Sequence, residues 1–274
     1  MSQHPVDLSS HLNQSVHCGH PADFPVTLQP LSFDLDGIAR PVPHRLAVVR
    51  EDTGQALAVV SDRYTFVPHQ RILDLVDAAI RPLDVGSVPR GIYVDRGGAQ
   101  MRALFKFPGL AQAVSGGDEI CPCLQVRNTY DATARIAIHI GAFRFVCTNL
   151  AVGGGGVFAS GFMSIHAGEI PMEDVTAQLS AYLSGFDAIV ILYRVWRERP
   201  FEQNCLAEIL TGMPTRTATA ISDGIARLET PSVYDAYNSA TWVATHQMRS
   251  ARTAFELLAR INSCFQERFP LVVN

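Results

Sequence analysis

Residues 124–156 read LQVRNTYDATARIAIHIGAFRFVCTNLAVGGGG, and this stretch decides the fold. Apolar and polar side chains alternate along it: Ile136, Ile138 and Ile140 fall on one side, and Arg135 and His139 fall on the other. A period of two residues is typical of a β-strand that buries one face. The segment is therefore predicted to be a half-buried strand from 132 to 140.

The preceding residues complete a hairpin. Residues 120–127 alternate in the same manner, and Asn128 to Asp131 contain the polar side chains that favour a turn. Gly141 is expected to end the second strand, and Phe143, with the residues after it, to form a third. In that register one outer face carries five polar side chains: Gln125, Arg127, Arg135, His139 and Arg144.

Two interpretations of this outer face remain open. Guanidinium groups bind phosphate through a planar fork, so the arginines could follow a nucleic-acid backbone. A half-buried sheet must also place polar side chains outside, so a solvated face without a ligand is the alternative.

The rest of the chain divides into a β-rich part and a helical part. Residues 1–23 are polar and rich in histidine, which predicts a flexible leader. Strands are predicted at 24–35, 45–50, 56–60, 92–95 and 100–107, and a helix at 69–80. After Pro171 the pattern becomes helical, with helices at 172–199, 201–210, 217–228 and from Thr230 onward. The prediction is a single α+β domain over 24–274, β-rich at 24–165 and helical at 171–270.

Composition excludes several classes of protein. The 274 residues include 22 basic and 26 acidic side chains, a formal charge of −4, so nucleic-acid binding would need a local basic patch. Lys106 is the only lysine; every other basic residue apart from histidine is arginine. Six scattered cysteines do not form a disulfide framework, and no apolar run is long enough to cross a membrane. A cytoplasmic location and no membrane contact are expected.

A second basic surface is predicted at the end of the long helix, where Arg194, Trp196 and Arg197 interleave aromatic and cationic side chains. Stacking combined with phosphate contact is how proteins hold single strands without reading sequence. Cations at the end of a helix also complement its dipole, which is the structural alternative.

Chemical motifs are sparse. Cys121-Pro122-Cys123 lacks the spacing of a zinc site, and the glycines at 153–156 are not followed by the Lys-Ser or Lys-Thr of a phosphate loop. Cys147 lies in line with Phe143, which favours a buried thiol over a nucleophile. No metal and no cofactor is therefore predicted.

Several motifs, in order, carry a resemblance to a known family. They are Asp62-Arg63-Tyr64 with Val67-Pro68, Asn128 with Asp131, Arg144 with Val146-Cys147-Thr148-Asn149, and Tyr237-Asn238-Ser239-Ala240-Thr241 with His246. In these positions the chain resembles the phage/plasmid-like proteins grouped as a domain of unknown function (nine-three-two). It departs from the pattern at Ala132, where the family usually has glycine, and at Trp242, where the family often has glutamate.

The resemblance implies a mobile-element or prophage context, and it supplies no catalytic residues. The order helix, three-stranded ribbon, helix is also similar in topology to single-strand annealing proteins, without a shared motif.

Three functions follow as hypotheses. The first is a non-enzymatic, oligomeric protein that binds single-stranded DNA through Arg127, Arg135, Arg144, Arg194, Trp196 and Arg197. The second is an enzyme whose pocket is lined by Asn128, Asp131, Asn149, Asn238 and His246, with His246 as acid or base. The third is an interaction module that binds a host protein, which a large exposed apolar patch would favour.

Overall fold

A computed structural model describes residues 20–65, 67–134, 136–144, 150–152, 160–164, 172–248 and 251–271. Antiparallel sheets occupy the N-terminal half and helices the C-terminal half, which confirms the predicted α+β class. Ala22 is already buried in the core, so the packed chain extends to residues before Phe24.

The chain begins with a three-stranded antiparallel sheet in the order β1-β2-β3. Its strands are β1 Val26–Leu35, β2 Ile38–Arg50 and β3 Gln55–Ser61. Asp36 and Gly37 connect β1 to β2 with φ angles of 55° and 77°. Positive φ at both positions matches the right-handed twist of a two-residue hairpin, which is why Asp-Gly is found there.

The larger sheet has seven strands around the predicted hairpin. Their order is β10-β8-β7-β5-β4, with β6 paired to β7 and β9 paired to β8. The bounds are β4 Arg90–Asp95, β5 Gln100–Lys106, β6 Gln112–Ser115, β7 Asp118–Thr129, β8 Ile136–Arg144, β9 Leu150–Val152 and β10 Ser160–Ser164. The strands β7 and β8 are antiparallel, as expected from the alternation.

The expected break at Gly141 is wrong. β8 continues through Gly141, which pairs with Cys123 on one side and Val152 on the other. Because strands flank β8 on both edges, the backbone stays extended where an isolated glycine would allow it to bend. The alternation of side chains therefore runs unchanged from Ile136 to Arg144.

Seven helices are seen in the described chain. They are α1 His69–Ile80, α2 Met172–Ser184, α3 Phe186–Glu198, α4 Cys205–Leu210, α5 Thr215–Ala226, α6 Val233–His246 and α7 Ala251–Arg268. The bounds of α1 are those predicted. The single helix expected over 172–199 is instead the pair α2 and α3, bent by 44° at Gly185. Ser184 and Gly185 explain the bend, because serine–glycine pairs and glycine itself weaken a helix.

The start of α6 also differs from the prediction. Ser232, rather than Thr230, caps the helix: its Oγ accepts a hydrogen bond from the backbone N–H of Asp235 (3.1 Å). The Asp235 carboxylate in turn accepts from the backbone N–H of Ser232 (3.0 Å). This reciprocal capping box satisfies two N–H groups that a helix start leaves unpaired.

Two hydrophobic clusters hold the fold. The main one packs the large sheet against the helices, and includes Leu124, Ile138, Val190 and Tyr237. The smaller one joins the three-stranded sheet to the large sheet through Phe24, Val48, Val60 and Tyr130.

Candidate nucleic-acid interface

The face of the large sheet that lies opposite the isoleucines carries Arg102, Lys106 and Arg127. Residues paired across antiparallel strands point to the same side. Arg127 of β7 pairs with Arg102 of β5, and Arg102 pairs with Tyr93 of β4. Tyr93, Arg102 and Arg127 therefore form a row across three neighbouring strands, about 4.8 Å apart per strand.

Other polar side chains lie beside this row. Gln125 pairs with His139, and Lys106 pairs with Cys123, all on the same face. The amine of Lys106 lies over the ring of Phe143, 4.1 Å from its centre. Lys106 was not among the residues expected at this site.

An ion pair lies beside the two arginines of this face. Arg102 donates to the Asp95 carboxylate at 2.7 Å, and the Arg102 side chain is 15% exposed. Like charges directly opposite each other on neighbouring strands destabilise a sheet. Arg127 is paired with Arg102 across the strands, and Asp95 supplies an opposite charge to Arg102.

Burial shifts the pKa of two groups here. Desolvation, and secondly the charge of Arg127, lower the pKa of His139 to about 4. Desolvation also lowers the pKa of Lys106 from its usual value. His139 is consequently neutral at physiological pH.

The polar face is less open than expected. Gln125 is only 8% exposed, and Cys121 and Cys123 are buried. Two buried apolar side chains, Leu104 and Phe143, share this face with the polar ones. The row formed by Tyr93, Arg102 and Arg127 is a partly exposed part of this face.

Arg144 does not belong to this face, so that prediction is wrong. Arg144 pairs with Ile120 and shares the side of Ile136, Ile138 and Ile140. Its guanidinium donates twice to Asp118, at 2.7 and 2.6 Å, in the geometry of a structural ion pair. Because β8 continues through Gly141, the alternation of faces is not shifted by one residue there. The Arg144 side chain therefore lies on the same face as the isoleucines, and not on the face of Arg127. Arg135 lies outside the described residues.

The second predicted surface does not form, because Trp196 lies in the core while Arg194 and Arg197 stay exposed. Trp196 is 1% exposed, and its Nε1 donates to the backbone carbonyl of Phe269 at 2.7 Å. Arg194 donates to the carbonyl of Ala113 at 3.0 and 2.6 Å, and Arg197 pairs with Asp235. The expected stacking platform is wrong, because the indole packs among aromatic rings of α6 and α7.

The proposed pocket residues do not converge. Asn238 lies beside Ile120 and Arg144, near one end of β7. Asn128 lies eight residues further along the same strand, roughly 27 Å away at about 3.4 Å per residue. Asn238 donates to the carbonyl of Tyr234 (2.8 Å).

The remaining described residues of the proposed pocket form hydrogen bonds close to their own positions. His246 Nδ1 contacts the carbonyl of Trp242 at 3.0 Å, one turn earlier in α6. Asp131 accepts from Gln100 at 2.8 Å and from the backbone N–H of Thr133 at 3.1 Å. Asn149 lies outside the described residues. The four described residues of this set, Asn128, Asp131, Asn238 and His246, are thus not assembled into one pocket.

Sequence reasoning missed a buried polar cluster at the start of α1. The fully buried ring of His69 donates from Nε2 to the carbonyl of Gly98 (2.9 Å), so its Nδ1 accepts from Asn128 Nδ2 (3.0 Å). The same ring stacks on Tyr130, with centres 3.9 Å apart. The Tyr130 hydroxyl accepts from the backbone N–H of His69 (2.8 Å). These contacts fix α1 to the end of β7, so Asn128 has a structural role.

Tyrosines near this cluster are kept neutral. Burial, followed by the nearby charge of Asp131, raises the pKa of Tyr64 to about 12. Burial also raises the pKa of Tyr130 to about 12. Both hydroxyls are therefore protonated at physiological pH.

Two features of the described residues bear on other functions. Across the ranges given above, no three His, Cys, Asp or Glu side chains are grouped so that they could hold a metal ion. None of the described helices is by itself long and apolar enough to span a membrane; the bent pair α2 and α3 meets that test only when taken together.

Among known proteins, the chain matches a family model. A family model described as "Domain of unknown function (DUF932)" matches residues 56–269. No curated protein and no solved structure matches the chain.

Proposed function

Since the chain belongs to the DUF932 family, whose description assigns no activity, we propose a function from the site itself: the protein binds single-stranded nucleic acid on the polar face of its large sheet. The row of Tyr93, Arg102 and Arg127 carries this proposal. It places one aromatic ring and two guanidinium groups side by side on neighbouring strands.

The chemistry of the row favours a phosphate-bearing ligand. A phosphate can accept hydrogen bonds from two neighbouring guanidinium groups at once. The Tyr93 ring lies on the edge strand β4, where a base can stack beside the bound phosphate. Asp95 competes with that phosphate for Arg102.

The overall charge of −4 favours a single strand over a long duplex. A duplex would bring many phosphates against a surface without a general basic field. A short row of cations with an aromatic ring is enough for a single strand, which bends toward it. The phage or plasmid context implied by the family resemblance fits a protein that handles such strands.

Fluorescence anisotropy with a labelled oligothymidylate tests the proposal. Arg127→Gln and Arg102→Gln should each weaken binding and reduce the slope of log affinity against log salt by about 0.7. Arg71→Gln is the matched control, because Arg71 is an exposed arginine on α1. It should leave the slope unchanged.

The Asp95→Asn variant distinguishes an effect on binding from an effect on folding, because a folding defect would not strengthen binding. The Asp95 side chain is 47% exposed, and its loss frees Arg102 for phosphate. We therefore expect tighter binding and a steeper salt slope. No binding by the wild-type chain at low salt, or equal salt slopes in all four variants, would reject the proposal.

A further inference from the structure

The hairpin that joins β1 to β2 extends away from the body of the protein. Beyond a bulge, where Leu31 alone on β1 faces four residues of β2, the two strands pair with each other and with no other strand of the described chain. Every residue from 32 to 41 is exposed. We call residues 31–42 the arm; its tip lies about 17 Å beyond the bulge at about 3.3 Å per residue.

One face of the arm is apolar. Leu35 pairs with Ile38, and Phe33 pairs with Arg40, so these four side chains share a face. Phe33 is 50% exposed, Leu35 47% and Ile38 58%. The opposite face carries Ser32, Asp34, Ala39 and Pro41.

The arm is weakly supported by its own chain. A two-stranded hairpin without further contacts is only marginally stable in water. The left-handed backbone of His44, with φ of 58°, bends β2 at the bulge, and the His44 ring contacts Asp62 at 2.7 Å. The contacts that hold the arm out from the body thus lie at its base.

Proline makes pairing through the strand edges unfavourable. Pro30 lies on β1, and Pro41 and Pro43 lie on β2. Proline has no N–H, so an added strand would lose hydrogen bonds at these positions. Contact through the apolar face remains as the route to another molecule.

We propose that the arms of two copies of this chain pack face to face, related by a two-fold axis. In this arrangement the tip of one arm lies over the base of the other. Arg40, at the base of the apolar face, then meets Asp36, at the partner's tip. Phe33, Leu35 and Ile38 lie between two such ion pairs, so charge and apolar surface are both self-complementary.

The exposed area sets the strength of this contact. Three half-exposed side chains offer on the order of 100 Å² each, so two copies bury roughly 600 Å² of apolar surface. Stable interfaces bury about 1,200–2,000 Å². The dimer is therefore weak, and it forms and dissociates with protein concentration.

Sedimentation velocity over a concentration series, without nucleic acid, tests the proposal. The wild-type chain should shift from monomer to dimer in the micromolar range or above. Leu35→Lys should raise the dimer dissociation constant about tenfold or more, because a central apolar contact is replaced by a charge.

Ala39→Lys is the matched control on the opposite face of the same arm, where the new amine lies beside Asp34. It should leave the dissociation constant unchanged. Both positions are exposed, so thermal unfolding should show equal stability of the two variants. A wild-type chain that stays monomeric throughout the series overturns the proposal, and so does a dimer that Leu35→Lys and Ala39→Lys weaken equally.

Discussion

The buried imidazole of His139 makes stability depend on pH in a way that one substitution should remove. His139 lies on β8 beside Gln125, and Arg127 is close by on the same face. Replacement by glutamine keeps a polar side chain of similar size but cannot gain a charge. His139→Gln should therefore stay folded in acid better than the wild-type chain, relative to their stabilities at neutral pH.

The magnitude follows from the pKa. Burial, and secondly Arg127, hold the pKa of His139 at about 4 in the folded protein, against 6.5 in the unfolded chain. Between these values the unfolded chain binds the extra proton, so the free energy of unfolding falls as pH falls. At about 1.4 kcal/mol per pKa unit, the full loss is about 3.5 kcal/mol, and most of it is reached by pH 4.

Urea unfolding at several pH values between 7.5 and 4 measures this effect. Carboxylates also titrate in acid, so the quantity compared is the difference between wild type and His139→Gln at each pH. Arg127→Gln should reduce the same difference in part, because it removes the second cause of the shift. Parallel stability curves for wild type and His139→Gln would refute the reasoning.

Two further predictions concern residues whose roles the tertiary structure reassigned. Arg144→Gln leaves the Asp118 carboxylate, only 10% exposed, without its partner, and should lower the free energy of unfolding by about 2–4 kcal/mol without changing the salt slope of DNA binding. A DNA-binding defect in a folded Arg144→Gln protein would contradict this assignment. Trp196→Phe removes the donor to the carbonyl of Phe269 and should cost about 1–3 kcal/mol in urea unfolding, with the affinity for DNA unchanged. A selective loss of DNA binding would show instead that the indole reaches the ligand.

Much of the fold could be predicted because the signals are local. The helical stripe of α1 gave its bounds from residues within four positions of each other. The buried face of α6 follows the same rule: Val233, Ala236, Tyr237, Ala240 and Val243 recur at helical spacing and are all buried. The alternation around Ile138 likewise indicated the central hairpin.

The site was harder to predict because it depends on pairing between distant residues. The strand containing Arg102 was expected, but its register against β7 was not, so the contact of Arg102 with Arg127 was missed. The polar positions Gln100, Arg102 and Lys106 alternate along β5, and that pattern was the available signal. The residues next to Trp196 in the sequence did not show whether its indole ring faced water or packed against α7.

The amino-acid sequence alone determined the class of the fold, the central β-hairpin and the side on which the isoleucines lie, because side-chain periodicity reports the nearest neighbours along the chain. Tertiary structure alone decided which cations stand together. The position of Arg144 shows the reason. Whether Gly141 ends a strand depends on the strands paired at both edges of β8, and this pairing decides on which face each residue after Gly141 lies.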